Sequence, residues 1–308
     1  MRRGPTLWLI LLLASAAGAE PQRWHETLSP HFQVRHEAAF APQGLTLDLE
    51  KLHNRLRLDL SMFAPWMAKE RINLYLYAAQ ASYLRGRFQP PSWSNGVAFY
   101  RDRTVVTFSG QEEGKLMQVL GHEATHLLFE GYWGEQGKTP PVWLNEGLAM
   151  MEETDAEGAA GSDWRRAIEA MDPKDLMPLA RFTKISPTND LKDDRRAVTF
   201  WYVQAYGLVN FLYRSRPRMQ FFNFCAQLRD GRTLEEAVWK VYRLRGLAAL
   251  EREFRASLDR PGRRGQISFA PPSASAVPPP SGRGVPMTLK PIDFGDAAFK
   301  SLMPDEKR

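Results

Sequence analysis

Two histidines and a glutamate at helical spacing carry the strongest chemical signal in the chain: His122, Glu123 and His126, within the stretch HEATH. Residues four apart on a helix stand one above the other on the same face, so His122 and His126 can present two imidazoles to one ion. Glu123, one step along, points toward the same side and can hold a water there as a base. A catalytic zinc takes three protein ligands and keeps a further position for water. Glu146, separated from His126 by nineteen residues, is the candidate for the third ligand. The chemistry such a group performs is metal-assisted hydrolysis. The competing reading is a satisfied histidine pair on an ordinary amphipathic helix.

Two helices must carry these residues. Ser109 and Glu112 have the spacing of a capping box. Leu116, Val119, Leu120, Leu127 and Leu128 then recur at near-helical intervals, and no proline interrupts residues 110–139. Residues 131–141, GYWGEQGKTPP, are rich in glycine and proline and can reverse the chain. Val142, Leu144, Leu148 and Met151 begin a second apolar stripe, and Glu146 lies within it.

HEATH followed by PVWLNEGLA resembles the gluzincin branch of zinc peptidases, in the peptidase MA-like superfamily. The resemblance is strongest over residues 95–155 and extends more weakly to about 258. It implies zinc as cofactor, His122, His126 and Glu146 as metal ligands, and Glu123 as catalytic base. One position departs from the thermolysin-like pattern: the aspartate expected four residues after the ligand glutamate is Met150. The partner that orients a ligand histidine must then be Glu152, Glu153, Asp155 or a backbone carbonyl. The resemblance also implies a tyrosine or histidine from the helical half as oxyanion donor. Tyr202 and Tyr206 are the candidates, and the stretch YVQA favours Tyr202. In such folds a peptide pairs with a strand edge beside the active helix, and SNGVAFY, residues 94–100, is the expected edge.

Around this centre the hydrophobic pattern reads as α+β. Residues 31–36, 72–76, 97–100 and 104–108 alternate as strands, with a helix over 45–62 and a short helix or turn over 78–85. The expectation is a small N-terminal sheet packed on the HExxH helix, followed by a mainly α-helical half, as in thermolysin-like architecture. Helices are expected over 163–171, 198–213, 219–229, 233–241 and 247–258, with residues 182–194 mostly loop. The run over 198–213 is apolar but short and carries Gln204 and Asn210, so it reads as a core helix, not a membrane span. His25, His31, His36 and His53 show no ligand-like partner at helical spacing and read as structural or surface residues.

The chain ends read differently from its body. Arg2 and Arg3, the apolar run 7–13 and Ala17-Gly18-Ala19 have the form of a secretory signal peptide over residues 1–19. Residues 20–259 form the expected zinc peptidase-like domain, with an α/β part over about 20–130 and a helical part over about 140–259. From residue 260 to 308, proline, serine, glycine and arginine dominate, as expected for a flexible tail. The net charge of +6 resides in the leader and this tail, leaving a near-neutral body that argues against nucleic-acid binding. The basic tail reads as a solvated segment, with contact to an anionic envelope surface as the alternative. A single cysteine, Cys225, excludes an internal disulfide and reads as a buried apolar residue.

The expected function is zinc-dependent peptide-bond hydrolysis in the bacterial periplasm, on a peptide or protein substrate. The SNGVAFY stretch lacks the acidic residue with which aminopeptidases of this superfamily hold a free amine, which favours an endopeptidase. The alternatives are a zinc-binding scaffold or assembly factor on a peptidase-like fold, and a hydrolase of non-peptide substrates.

Overall fold

A computed structural model describes residues 23–92, 94–111, 114–156, 163–214 and 217–258, with the side chains of 154–156 excepted. The signal-peptide and tail readings, and Glu112 of the expected capping box, lie outside the described residues.

Five strands form one sheet: β1 (His25–Leu28), β2 (Phe32–His36), β3 (Ile72–Tyr77), β4 (Gly96–Phe99) and β5 (Thr104–Phe108). Their order is β1-β2-β3-β5-β4. The strands β2, β3 and β5 run parallel, and β1 and β4 close the two edges antiparallel. The strand β1 was not expected from the sequence. It pairs with β2 through a tight reversal at Ser29, whose backbone N–H donates to the Phe32 carbonyl. The alternation of β3 explains the layering. Ile72, Leu74 and Leu76 enter the main core with Phe32 and Val34, while Tyr77 packs with Tyr83, Val97, Val106 and Phe108 on the opposite face.

Helix α1 (Leu45–Leu60) lays Leu45, Leu49, Leu52, Leu56 and Leu60 into the main core. After it come α2 (Gln80–Arg85), α3 (Lys115–Gly134) and α4 (Val142–Ala156). Helix α3 starts at Lys115 with Gly114 in the left-handed region at φ 79°, so the capping box expected from Ser109 does not form. The Ser109 hydroxyl instead donates to the carbonyls of Tyr77 and Ala78. The helical half continues with α5 (Asp163–Ala170), α6 (Leu179–Phe182), α7 (Pro187–Asp190) and α8 (Arg195–Arg214). It ends with α9 (Arg218–Arg229), α10 (Leu234–Tyr242) and α11 (Leu247–Leu258). The expected loop over residues 182–194 begins at the last residue of α6 and is interrupted by the single turn α7.

Helices α3 and α4 pack against each other, and α4 packs in turn against α8. The apolar stripe read for α4 underestimates its burial: Trp143, Ala149, Met150 and Met151 are buried along with Leu144 and Leu148. A helix enclosed by neighbours on several sides buries residues all round its axis. The contact of α4 with α8 is closest at Gly147, where an added Cβ would lie 2.5 Å from both the Ala205 carbonyl oxygen and Val209 Cγ2. A backbone oxygen cannot turn aside as a side chain can. Gly147→Ala is therefore expected to destabilise the fold by about 1–3 kcal/mol, measured by denaturant unfolding.

Candidate metal centre

The three residues singled out as ligands converge although they come from two helices. His122 and His126 lie on α3, and Glu146 on the first turns of α4. The two Nε2 atoms are 3.0 Å apart. Glu146 Oε2 is 4.0 Å from His122 Nε2, and Glu146 Oε1 is 4.0 Å from His126 Nε2. All three side chains are buried, and one ligand atom from each lies within 4.8 Å of the others. Ligands about 2.0–2.1 Å from a tetrahedral zinc stand roughly 3.3 Å apart, so a small adjustment accommodates the ion.

The surroundings assign the protons. His122 Nδ1 faces Glu153 Oε2 at 3.4 Å, and His126 Nδ1 faces Glu130 Oε1 at 3.7 Å. A carboxylate beside Nδ1 places the ring proton there and leaves the lone pair on Nε2. The two Nε2 atoms face each other across 3.0 Å inside the protein, close enough to share one proton between them or to meet one cation.

The titration tendencies separate the two rings. Burial, with His122 nearby, pulls the His126 pKa down to about 3 and keeps its ring neutral. For His122 burial acts downward, but the hydrogen bond and charge of Glu153 outweigh it and the pKa rises. Burial raises Glu146 to about 7 despite the opposing charge of His122. Burial likewise raises Glu123 to about 7, with the charges of Glu146 and Glu153 adding to the rise. Glu130 rises to about 8, again chiefly through burial. Several carboxyl groups thus share one low-dielectric space, the environment that a divalent cation offsets.

Glu123 sits beside the strand that flanks the centre. An added Cβ on Gly96 of β4 would lie 2.7 Å from Glu123 Cγ and 2.8 Å from Val119 Cγ1, so Gly96 lets the strand pass close over the base. Strand β4 is the last in the sheet, hydrogen-bonded to β5 on one side. Tyr202 and Tyr206 are both buried on α8. At 3.6 residues per turn they share one roughly 100°-wide face with Ala205 and Val209, the residues that meet Gly147 of α4. Both tyrosines therefore lie on the side of α8 that faces the helix of Glu146.

Of the candidates for orienting a ligand histidine, Glu153 stands at His122. Glu152, one residue earlier, turns away and pairs with Arg55 of α1 at 3.5 Å. The side chain of Asp155 lies outside the described residues. Met150 occupies the aspartate position as a fully buried core residue. Glu153 is seven residues from Glu146, two helical turns, and so returns to the same face.

Two further residues of the centre escaped the sequence reading. Asn145 donates from Nδ2 to Glu130 Oε1 at 2.8 Å. Glu130 was legible in principle, since it stands four residues after His126 on the same helix. Asn145 was not, because its neighbour Glu146 drew the only available inference.

A family profile described as the Peptidase MA superfamily matches residues 59–260. The chain belongs to that superfamily, the gluzincin-like metallopeptidases, and its small mixed sheet followed by helices is the corresponding α+β fold. A search of curated proteins found no match.

The contact of Glu153 with His122 has a measurable consequence. Glu153→Ala is expected to weaken metal affinity by about 10–100-fold while the protein stays folded, as read by competition with a chromogenic chelator.

Proposed function

We propose that this protein is a zinc-dependent peptidase, and specifically an endopeptidase of the bacterial cell envelope. The observation that carries the reading is the convergence of His122, His126 and Glu146 with Glu123 beside them, in a chain of the peptidase MA superfamily.

Zinc, held by His122, His126 and Glu146, would supply Lewis acidity, acidifying a water and polarising the scissile carbonyl. Glu123 takes the proton from the attacking water and hands it to the leaving amine. Glu153 and the Glu130–Asn145 pair hold the two imidazoles with Nε2 inward. Tyr202 donates a hydrogen bond to the developing oxyanion, with Tyr206 as its alternative on the same face of α8.

The substrate backbone adds to the free edge of β4 over residues 94–100. The endopeptidase reading rests on the absence of an acidic residue from that stretch, where aminopeptidases of this superfamily hold a substrate's free amine. The envelope location rests on the leader-like residues 1–19. Among the described residues no helix is long and apolar enough to cross a membrane.

Glu123→Gln is expected to lower hydrolysis of a denatured protein substrate by at least about 100-fold with zinc content unchanged. A variant that retains full activity would overturn the reading, and a wild-type protein that binds zinc but cleaves no peptide would support a scaffold instead. Gly96→Ala is expected to reduce turnover, also with zinc retained, because the new methyl group displaces Glu123; steady-state kinetics beside metal analysis checks this.

A further inference from the structure

A second group of metal-ligating side chains lies on α1 and the turn before β2. Glu50 and His53 are three residues apart on α1, and His31 immediately precedes β2. The sequence reading set both histidines aside because it looked for partners at helical spacing and passed over Glu50, three residues before His53. His31 was beyond the reach of any such search, being brought in from the sheet. One ligand atom from each of the three residues lies within 4.8 Å of the others.

The hydrogen bonds around the group define which atoms face inward. His53 Nε2 lies 3.0 Å from the Met67 carbonyl oxygen, an acceptor, so Nε2 carries the proton and donates. Nδ1 is then the lone-pair nitrogen. It is buried and has no hydrogen-bond partner, and the residue as a whole is fully buried. A neutral imidazole with one nitrogen held by a backbone carbonyl and the other left open is the arrangement found in metal-ligating histidines.

Glu50 is divided in a similar way. Its Oε1 accepts from the Ser29 hydroxyl at 2.6 Å and from the His31 backbone N–H at 3.0 Å. Its Oε2 is turned to His31 Nδ1 at 2.6 Å. The His31 ring stacks on the His53 ring with centroids 3.7 Å apart and planes 11° from parallel. A simple His31–Glu50 ion pair accounts for part of this geometry, but it leaves the buried Nδ1 of His53 unsatisfied, which costs free energy.

We propose that His31, Glu50 and His53 form a second divalent-metal site, suited to zinc, that clamps the sheet to α1. The donors are His53 Nδ1, Glu50 Oε2 and a nitrogen of His31, with water completing a four-coordinate shell. His31 is the adjustable member: its side chain is 31% exposed, and its ring turns out of the stack to direct Nδ1 at the ion. For Nδ1 to bind the ion, the neutral ring takes the tautomer with its single proton on Nε2. The role that follows from position is structural, since the ion would tie the turn before β2 to α1.

The test uses the full chain and zinc ion as the probe. A His122→Ala, His126→Ala double variant removes two donors of the first centre. It is expected to keep one zinc per chain after dialysis against micromolar zinc, and to melt at a higher temperature with zinc than with chelator. Adding His31→Gln, or separately Glu50→Gln, is expected to abolish both the bound zinc and the shift in melting. A double variant that is folded by circular dichroism yet binds no zinc would overturn the proposal. So would zinc retained equally in both added variants.

The two centres fail separately. If the wild type holds one zinc that the double variant keeps, the second site stands and the assignment at His122 and His126 falls. If the double variant loses all zinc while folded, the first centre stands and the second falls.

Discussion

The structure depends on the burial of charge between α3 and α4. Glu123, Glu130, Glu146 and Glu153, with His122 and His126, are all withdrawn from water into a space shared by two helices. Burying ionisable groups is costly unless each finds a partner. Here the partners are one another: Glu153 beside His122, Glu130 beside His126, and Asn145 joined to Glu130. That mutual arrangement turns each imidazole Nε2 toward the same point. It also gathers several buried carboxyl groups there, an environment that a divalent cation offsets.

Holding such a group requires a rigid surround, which the neighbouring elements supply through close approach. Gly147 brings α8 against α4 one residue after Glu146, and Gly96 brings β4 against Glu123. Arg55 reaches from α1 to Glu152 on α4 and ties the strand-and-helix half to the helical half. The two glycines serve because a side chain at either position would meet atoms already in place, not because of an unusual backbone angle.

Much of the centre was legible because it is written in helical period. His122, Glu123, His126 and Glu146 were all readable from spacing and from resemblance to the gluzincins, as were the strands from alternation. The misses have a common cause. The start of α3 was misread because Ser109 has the type of a capping residue but is used by Tyr77 and Ala78 of the sheet. The burial of α4 was underestimated because its apolar stripe says nothing of how many neighbours enclose it. The grouping of His31 with Glu50 and His53 was invisible because a strand and a helix meet there.

By itself the sequence determined the local order: which segments are helix or strand, and which face of α3 carries both histidines. It did so because period and propensity are properties of neighbouring residues. Only the tertiary structure decided which partner each polar side chain finds. Glu152 and Glu153 are adjacent and chemically identical, yet one pairs with Arg55 and the other with His122. Successive helical residues point about 100° apart, so their roles are set by what packs on each side of α4, and that depends on segments nearly a hundred residues distant.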